Sequence, residues 1–252
     1  KTELTIHDRT NLPPVNIETV NLASFRPTQK TTTIDTPLQL QSAASKELSK
    51  MLKAGFLEEA HHSTPYVSRG FFVTKPNSDN LKARPVADIR EVNKTLKRPS
   101  CPMDGSSLIQ KRLNQEEAYF STLDLSSGYH QIRLAEASRD LFTIILPQGK
   151  YRYTVLPQGT SSSCDIFNIM TDARIRGVPG YFKNVDDILT TSRSMEEMET
   201  RLRKLLMICR SKNIKLNPSK FSIRHEVTFG GVELKGVKEK GDTTRRVYIT
   251  PA

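Results

Sequence analysis

Residues 181–189 read Tyr-Phe-Lys-Asn-Val-Asp-Asp-Ile-Leu, so two adjacent acids stand between two short apolar pairs. This pattern predicts a tight strand–turn–strand unit with Asp186 and Asp187 at the turn. Adjacent carboxylates in an apolar stretch repel one another and are costly to desolvate, so the pair needs protons or cations nearby. An Asp-Asp pair alone is more often a solvated turn, and its meaning therefore depends on the rest of the chain.

A third acid, Asp124, ends another predicted strand that begins at Tyr119. Mg²⁺ prefers carboxylate and phosphate oxygens, and two such ions about 3.5–4 Å apart are the usual device for in-line attack on a phosphoryl group. A carboxylate from a neighbouring strand can bridge the two ions. Asp124, Asp186 and Asp187 are therefore candidates for a two-metal phosphoryl-transfer site.

The other predicted elements alternate irregularly along the chain. Helices are predicted over 38–57, 161–174 and 195–212, the last with a capping box of Ser194 and Glu197. Strands are predicted over 71–74, 85–89, 141–146 and 151–155, with a polar turn at 76–80 and two or three short strands after Pro218. This irregular order favours an α+β fold with an antiparallel sheet over a doubly wound parallel one.

Charge is distributed unevenly along the 252 residues, whose net charge is 38 − 27 = +11. Basic and acidic side chains number 17 and 13 in residues 1–120, 7 and 7 in 121–192, and 14 and 7 in 193–252. Basic flanks around a neutral centre that holds the three acids suit a nucleic-acid enzyme with a metal site. The plain alternative is a solvated basic surface.

Several classes of protein are disfavoured by the sequence. No apolar run approaches the roughly 18–20 residues of a membrane span, and the first residues lack the apolar core of a secretory signal. Three widely spaced cysteines argue against a disulfide framework or a structural zinc site, and they fit a reducing compartment. The first residue is not Met, so we expect the chain to be part of something longer.

Six short motifs resemble those of reverse transcriptases of LTR retroelements and occur in the same order. Leu123–Ile132, which reads Leu-Asp-Leu-Ser-Ser-Gly-Tyr-His-Gln-Ile, resembles the first catalytic motif. Leu156–Gly159 (Leu-Pro-Gln-Gly) resembles the second, and Asn184–Leu189 resembles the Tyr-x-Asp-Asp motif.

The remaining motifs lie on both sides of these. Leu216–Phe221 and Val227–Val232 are similar to the following motif and the primer grip, and Lys75-Pro76 with Arg84–Asn93 is similar to the fingers. Together the motifs cover about residues 50 to 235. The Gly-Tyr-His-Gln-Ile string is most similar to the Ty3/Gypsy class, and the Arg-Pro-Val-x-Asp and Leu-Pro-Gln-Gly strings also resemble retroviral sequences.

The resemblance implies a polymerase right hand with fingers and palm, in which helices back an antiparallel palm sheet. It divides the chain into an N-terminal extension (1–36), fingers (37–97 and 132–160), palm (98–131 and 161–235) and the start of a thumb or a linker (236–252).

The resemblance also implies roles for individual residues. Metal ligands would be Asp124, Asp186, Asp187 and the backbone carbonyl of Leu125, and Lys220 would be the acid that protonates pyrophosphate. Nucleotide-binding residues would be Lys75, Arg84, Tyr129, Gln158 and Val185, and primer or template residues would be Arg90, Asn184, Phe229, Gly230 and Gly231.

Some of these roles have plainer alternatives. Lys75 is also interpretable as a surface charge whose place Lys82 takes, Lys220 as a basic turn residue, and Tyr129 as a core aromatic. Asn93, like Arg90, is either structural or in contact with the template.

One position departs from the family pattern, because Asn184 stands where the family usually has Tyr. Asn loses aromatic contact area against the template and primer. The metal ligands are intact, and we therefore expect an active polymerase.

The implied function is RNA-directed DNA polymerase activity with two Mg²⁺ ions, for which Mn²⁺ is an alternative. The implied partners are an RNA template, a DNA or tRNA primer, deoxynucleoside triphosphates (dNTPs) and the RNA/DNA hybrid, but no membrane. The chain would belong to a polyprotein with thumb, RNase H and integrase, located in the cytoplasm within a virus-like particle or in the nucleus.

Two other functions are compatible with parts of the sequence. A domesticated, non-catalytic nucleic-acid-binding module would use the same basic flanks, but it has no need of three clustered acids. An RNA-templated RNA polymerase would share the two-metal site, but Tyr129 argues against it because the resemblance makes this residue a steric gate against ribose.

Overall fold

The computed structural model describes residues 11–20, 29–75, 81–101, 106–175, 178–238 and 245–252. The polar turn predicted at 76–80 lies outside these residues. The chain forms two compact units, each built from separate segments. Unit 1 consists of Glu3–Pro99 and Tyr129–Cys164, and unit 2 consists of Ser100–Gly128 and Asp165–Ala252.

The described helices are α1 (Leu38–Lys53), α2 (Arg90–Asn93), α3 (Ser106–Arg112), α4 (Glu136–Arg139), α5 (Ser163–Ile175) and α6 (Met195–Ser211). The strands are β1 (Leu57–Glu59), β2 (Ser68–Thr74), β3 (Ala83–Asp88), β4 (Tyr119–Asp124), β5 (Thr143–Leu146), β6 (Gly149–Tyr153), β7 (Tyr181–Asn184), β8 (Asp187–Ser192), β9 (Ser222–Arg224), β10 (Glu226–Phe229), β11 (Val232–Lys238) and β12 (Arg245–Pro251). Short 3₁₀ helices cover Gly128–Gln131, Asp140–Phe142 and Pro218–Lys220.

Unit 1 is built on a five-stranded sheet in the order β1-β6-β5-β2-β3. Its neighbours are antiparallel except β2 and β5, which pair in parallel. Helix α1 packs on β2 and β3 through a buried stripe of Leu40, Ala44, Leu48 and Met51. The helical pattern of the sequence extends to Leu57, but Gly55 is predicted to end the helix, and the helix ends at Lys53. Gly55, at a φ of 64°, turns the chain after Lys53, and Leu57 instead pairs with Tyr153 in the sheet.

Unit 2 contains two antiparallel sheets. One has the order β7-β8-β4-β9, and the other is the meander β10-β11-β12. A core cluster joins them, with Phe120, Phe182 and Leu189 from the first sheet and Phe229 and Leu234 from the second. The predicted α+β class with an antiparallel palm-type sheet is confirmed by this arrangement.

Helix α6 packs against β8 and β4 with Met198, Leu202, Leu205 and Cys209 buried, and the helical spacing predicts these four as one apolar stripe. The same spacing predicts Met195 as a member, which is wrong, because Met195 is the first residue of the helix and is 47% exposed. Ser194 accepts a hydrogen bond from the backbone N–H of Glu197 at 3.2 Å, as expected of an N-cap. Burial raises the pKa of the Cys209 thiol to about 11. None of the three cysteines, all of which lie in the described ranges, forms a disulfide.

A buried ion pair ties α6 to the end of β8 that lies away from the Asp-Asp turn. The Arg201 guanidinium contacts Glu117 Oε1 at 2.9 Å and Glu197 Oε1 at 2.6 Å, and it donates to the carbonyl of Thr191. The side chains of Arg201 and Glu117 are only 10% and 11% exposed. Gly180 makes room for this cluster, because a Cβ there would collide with the guanidinium.

Residues near each end of the described chain form isolated bridges or strand pairs. Val15, Thr19 and Gln29 form isolated bridges to other parts of unit 1. The boundary predicted between 235 and 236 falls inside β11, and β12 pairs with β11 from Val232 to Lys238. The names fingers, palm and thumb for the individual segments stay predictions. None of the helices in the described ranges is long and apolar enough to cross a membrane.

Candidate active site

Two of the three predicted acids are directly opposite each other in the four-stranded sheet of unit 2. Asp124, the last residue of β4, is the cross-strand partner of Asp187, the first residue of β8. Asn184 is the partner of Asp187 on its other side. Because residues that are paired across strands share a face, these three side chains lie on one face of the sheet.

Asp186 is linked to the same edge through the backbone. It lies in the turn between β7 and β8, and its carbonyl accepts a hydrogen bond from the Leu125 N–H at 2.9 Å. Val185 precedes it with a φ of 55°, a conformation that is rare for a β-branched residue. Asp124 and Asp187 are therefore neighbours across two strands, and Asp186 lies in the turn beside them.

Asp124 is held by a short turn that follows α6. Lys220 Nζ lies 2.8 Å from Asp124 Oδ1. The backbone N–H of Asn217 donates to the Asp124 carbonyl at 2.7 Å, and Asn217 Nδ2 lies 3.4 Å from Asp124 Oδ2. The Leu-Asn-Pro-Ser-Lys motif contains Asn217, but no signal in the sequence assigns this residue a role of its own.

The charges of the site shift two pKa values upward. Partial burial raises the pKa of the Asp187 carboxyl, and the neighbouring charges of Asp186 and Asp124 raise it further. The hydrogen bond to Asp124 raises the pKa of the Lys220 ammonium. The acids therefore favour a nearby positive charge, and Lys220 supplies one.

Carboxylate oxygens are the ligands that a hard divalent cation prefers, and Asp124 and Asp187 bring two carboxylates to one edge of the sheet. Within the described part of the chain, no group of three or more His, Cys, Asp or Glu side chains is gathered closely enough to hold a metal ion. Metal binding by the predicted acids therefore stays a prediction, in which substrate phosphate and water oxygens would supply further ligands.

An open cleft of about 280 Å³ lies beside the acids in unit 2. Asp124, Asp187 and Lys220 line one side, and Phe229 and Gly230 line the other. Gly230 and Gly231 have φ values of 58° and 79°, so this turn between β10 and β11 favours glycine at both positions. The Phe229 side chain is buried in the core cluster, and the predicted contact of Phe229, Gly230 and Gly231 with the primer stays a prediction.

The Asp-Asp turn is backed by tightly packed side chains. A Cβ at Gly128 would lie 2.8 Å from the Phe167 ring and 3.4 Å from Asp186 Cβ, so only glycine fits there without displacement. The buried Lys183 ammonium lies 4.8 Å from the centre of the Phe167 ring and donates to Asn168. Packing under the hairpin therefore restricts the position of Asp186.

The predicted triphosphate-binding cations lie in unit 1, near the end of β2 and the start of β3. The Lys75 N–H donates to the Lys82 carbonyl at 2.8 Å, so these two lysines face each other across the hairpin. Arg84 follows on β3 as the cross-strand partner of Val73. All three cationic side chains are exposed.

Two predicted contact residues of unit 1 are held by their neighbours. Arg90 forms two hydrogen bonds of 2.7 and 2.8 Å with Asp88, and this pairing holds the pKa of Asp88 below its ordinary value. Asn93 donates to the Gly159 carbonyl at 3.0 Å and accepts from the Ser161 N–H at 2.9 Å. Asn93 is therefore structural and fixes the loop that carries Gln158.

Tyr129 lies in the 3₁₀ helix Gly128–Gln131 and is half-buried. Its neighbour His130 packs on the Phe56 ring with centroids 4.9 Å apart. Desolvation lowers the pKa of His130 to about 4. The roles of Tyr129, Gln158, Lys75, Arg84 and the other predicted site residues stay predictions.

Comparison with known proteins finds a matching family model, similar curated proteins and solved structures of similar fold. The family model described as reverse transcriptase (RNA-dependent DNA polymerase) matches residues 73–234. The Pol polyprotein of transposon 412 from Drosophila melanogaster is 38% identical over 161 residues, which are 63% of this chain and 13% of that protein. The Pol polyprotein of transposon gypsy from the same organism is 29% identical over 181 residues, 70% of this chain and 17% of that protein.

A solved structure of the foamy viral protease-reverse transcriptase in complex with an RNA/DNA hybrid has a similar fold. It matches with a TM-score of 0.79 and 24% identity over 93% of this chain and 30% of that chain. The chain thus spans less than a third of the length of each of these three relatives.

Proposed function

Because the chain belongs to the reverse transcriptase family and is an RNA-directed DNA polymerase domain of the LTR-retrotransposon type, we propose that unit 2 carries its nucleotidyl-transfer site. The observation that supports this most is the register of the four-stranded sheet, which pairs Asp124 with Asp187. The hydrogen bond from Leu125 to Asp186 adds the third acid to the same edge.

The proposed reaction joins a nucleotide to a primer. The primer 3′-hydroxyl attacks the α-phosphate of a dNTP, a new P–O bond forms, and the bond to pyrophosphate breaks. The primer hydroxyl loses its proton to water, the leaving pyrophosphate gains one from the Lys220 ammonium, and Lys220 recovers its proton from water.

Reverse transcriptases generally use divalent metal ions, and for this chain we propose two Mg²⁺ ions, with Mn²⁺ as a substitute. Asp124, Asp186, Asp187 and the Leu125 carbonyl would hold them. When bound, the ions supply Lewis-acid stabilisation of the charge on the phosphoryl oxygens. The carboxylates would fix where the ions bind, because sheet pairing and the packing of the turn hold the carboxylates in place.

Unit 1 is proposed to bind the incoming nucleotide. Lys75 and Arg84 would pair with the triphosphate by charge-assisted hydrogen bonds, which suits exposed cations on a hairpin. Gln158 would contact sugar and base from a loop fixed by Asn93, and Tyr129 would exclude ribose by steric clash. Val185 and Asn184 would contact the nucleotide and the primer–template from the turn in unit 2.

The proposed partners are an RNA template, a DNA or tRNA primer, dNTPs and the RNA/DNA hybrid that forms. They are supported by the names of the relatives, one of which was solved with an RNA/DNA hybrid. The relatives are polyproteins much longer than this chain, which supports a proposed polyprotein with thumb, RNase H and integrase. A cytoplasmic virus-like particle or the nucleus remains the proposed location.

Primer extension on an RNA template with Mg²⁺ tests the proposed site. Asp186→Asn should abolish extension while template–primer affinity, measured by fluorescence anisotropy, stays within a few fold of wild type. Loss of a metal ligand removes transition-state stabilisation, whereas phosphate contacts by basic residues supply the binding.

Glu199→Gln is the matched control. Glu199 is an exposed acid of unit 2 that pairs with Arg203 on the outer face of α6, so its loss should leave extension unchanged. Extension by Asp186→Asn at the wild-type rate would show that the assignment of the acids is wrong.

A further inference from the structure

The turn Asn217–Lys220 makes three contacts with a single acid, Asp124. It binds the Asp124 backbone carbonyl through the Asn217 N–H, and it approaches one carboxylate oxygen with Asn217 Nδ2 and the other with Lys220 Nζ. The Asp124 side chain is only 13% exposed, whereas the Lys220 side chain is 60% exposed and can leave the carboxylate.

The turn is rigid enough to place these groups. Pro218 fixes its own φ, and Asn217 Oδ1 accepts hydrogen bonds from the Ser219 N–H at 3.2 Å and the Ser219 hydroxyl at 2.8 Å. With Oδ1 engaged in this way, Asn217 Nδ2 is directed at Asp124. The Lys220 N–H closes the turn on the Asn217 carbonyl at 3.3 Å.

The ammonium and a metal ion compete for the same carboxylate. Lys220 Nζ is 2.8 Å from Asp124 Oδ1, and a Mg²⁺ ligand bond of about 2.0–2.1 Å to this group would bring two positive charges close together. The repulsion between them opposes metal entry as long as the lysine stays in place.

We propose that Lys220 is a built-in counterion of Asp124 that a divalent cation must displace, and that Asn217 is the residue that positions it. This inference rests on the proposed function, because it takes Asp124 as a metal ligand. Displacement has a second effect, since it frees the ammonium from Asp124 and makes it available to the leaving pyrophosphate. Metal binding therefore precedes proton donation by Lys220.

The test measures binding of Mn²⁺ alone to the full chain, without nucleic acid or nucleotide, by electron paramagnetic resonance of free Mn²⁺. Lys220→Met removes the charge and keeps most of the side-chain length, and it should lower the Mn²⁺ dissociation constant at least threefold. Lys220→Arg keeps the charge and should stay within twofold of wild type.

Lys238→Met is the control for net charge. Lys238 ends β11, six residues beyond Val232 and the glycine turn, which is about 20 Å along a strand. This variant should bind Mn²⁺ like the wild type.

Asn217→Ala tests the positioning role. It should lower the Mn²⁺ dissociation constant, but by less than Lys220→Met does. The double variant should bind Mn²⁺ no more tightly than Lys220→Met alone, because Asn217 acts through Lys220. Full additivity of the two substitutions would overturn the positioning role.

Asp124→Asn separates this inference from the proposed function. Wild-type Mn²⁺ binding by Asp124→Asn would contradict the metal site itself. Loss of binding in Asp124→Asn, combined with unchanged or weaker binding in Lys220→Met, would leave the metal site standing and overturn the counterion role. Absence of Mn²⁺ binding in both the wild type and Lys220→Met would also overturn it.

Discussion

Asp124 and Asp186 of unit 2 are held from several sides, whereas the cations of the β2–β3 hairpin in unit 1 lie exposed. Asp124 is fixed by sheet pairing, by Asn217 and by Lys220, and Asp186 is backed by tight packing at Gly128. For Lys75 and Arg84 the backbone is fixed by the hairpin, but the side chains extend into solvent.

This difference indicates that the proposed metal ligands are preorganised, whereas the proposed triphosphate-binding cations are not. Groups that stabilise a transition state act best when their geometry is set in advance. Groups that capture a flexible triphosphate can acquire their geometry on binding and are best tested by substrate affinity. We therefore expect substitutions in the two units to affect different quantities.

The largest expected effect is a loss of stability when the buried ion pair of Arg201 in unit 2 is removed. Arg201→Met leaves Glu117 buried without its cation, and we expect the free energy of unfolding to fall by about 3–5 kcal/mol in urea titrations followed by circular dichroism. Arg203→Met on the same helix breaks an exposed pair with Glu199 and should change this free energy by no more than about 0.5 kcal/mol. Equal effects of the two variants would contradict the anchoring role of the buried pair.

The role of the exposed cations in unit 1 is tested by the kinetics of an Arg84 variant. Arg84→Ala should raise the KM for dNTP about tenfold or more and change kcat only slightly, because a hydrogen bond to a charged group contributes about 1.5–3 kcal/mol. Steady-state primer extension at varied dNTP measures both constants. Lys53→Ala, at the end of α1 in the same unit, is the control. A fall in kcat with an unchanged KM would place Arg84 among the transition-state groups instead.

Sugar selection gives the next effect in size. Tyr129→Val should raise ribonucleotide use relative to deoxynucleotide use about tenfold, since relief of about 1.4 kcal/mol of steric clash corresponds to that factor. Incorporation of both sugars by the wild type and the variant on one RNA template measures the ratio. An unchanged ratio with lower stability would identify Tyr129 as a packing residue of unit 1.

The smallest effect concerns the stability of unit 1 at mildly acidic pH. The folded pKa of His130 is about 4, below the ordinary value of about 6.5, so the unfolded chain binds a proton that the folded chain rejects. The free energy of unfolding should therefore decrease as pH falls, by about 0.7 kcal/mol between pH 7 and 6 from this group.

His130→Phe should remove that part of the pH dependence and keep an aromatic ring against Phe56. His61→Phe is the control because His61 is exposed in the same unit. Urea titrations at the two pH values decide the outcome, and an unchanged pH slope in His130→Phe would contradict the origin assigned to it.

Local patterns in the sequence predicted the parts of the site that depend on neighbours along the chain. The strand before Asp124, the hairpin around Asp186 and Asp187, and the capped helix α6 all follow from short-range signals, and all are present. The acids at strand ends could be recognised because buried strands and acidic turns have a distinct local pattern.

Contacts between distant residues could not be predicted in this way. Asn217 and Asp124 are separated by 93 positions, and Arg201 and Glu117 by 84. The apolar stripe of α6 carries no sign that the arginine within it is buried, since arginine is normally exposed. The roles of Asn217 and Arg201 depend on which strands become neighbours, and a single sequence does not specify that pairing.

The conformation of Val185 affects how this chain can change by mutation. A valine with positive φ costs about 1–3 kcal/mol, and glycine would relieve this cost. Every valine codon differs from a glycine codon by one base, so the stabilising replacement is always within reach of a single replication error. An enzyme that copies its own coding sequence would sample that replacement often, and we expect selection for nucleotide incorporation, not for folding, to decide which residue persists at the tip of the turn.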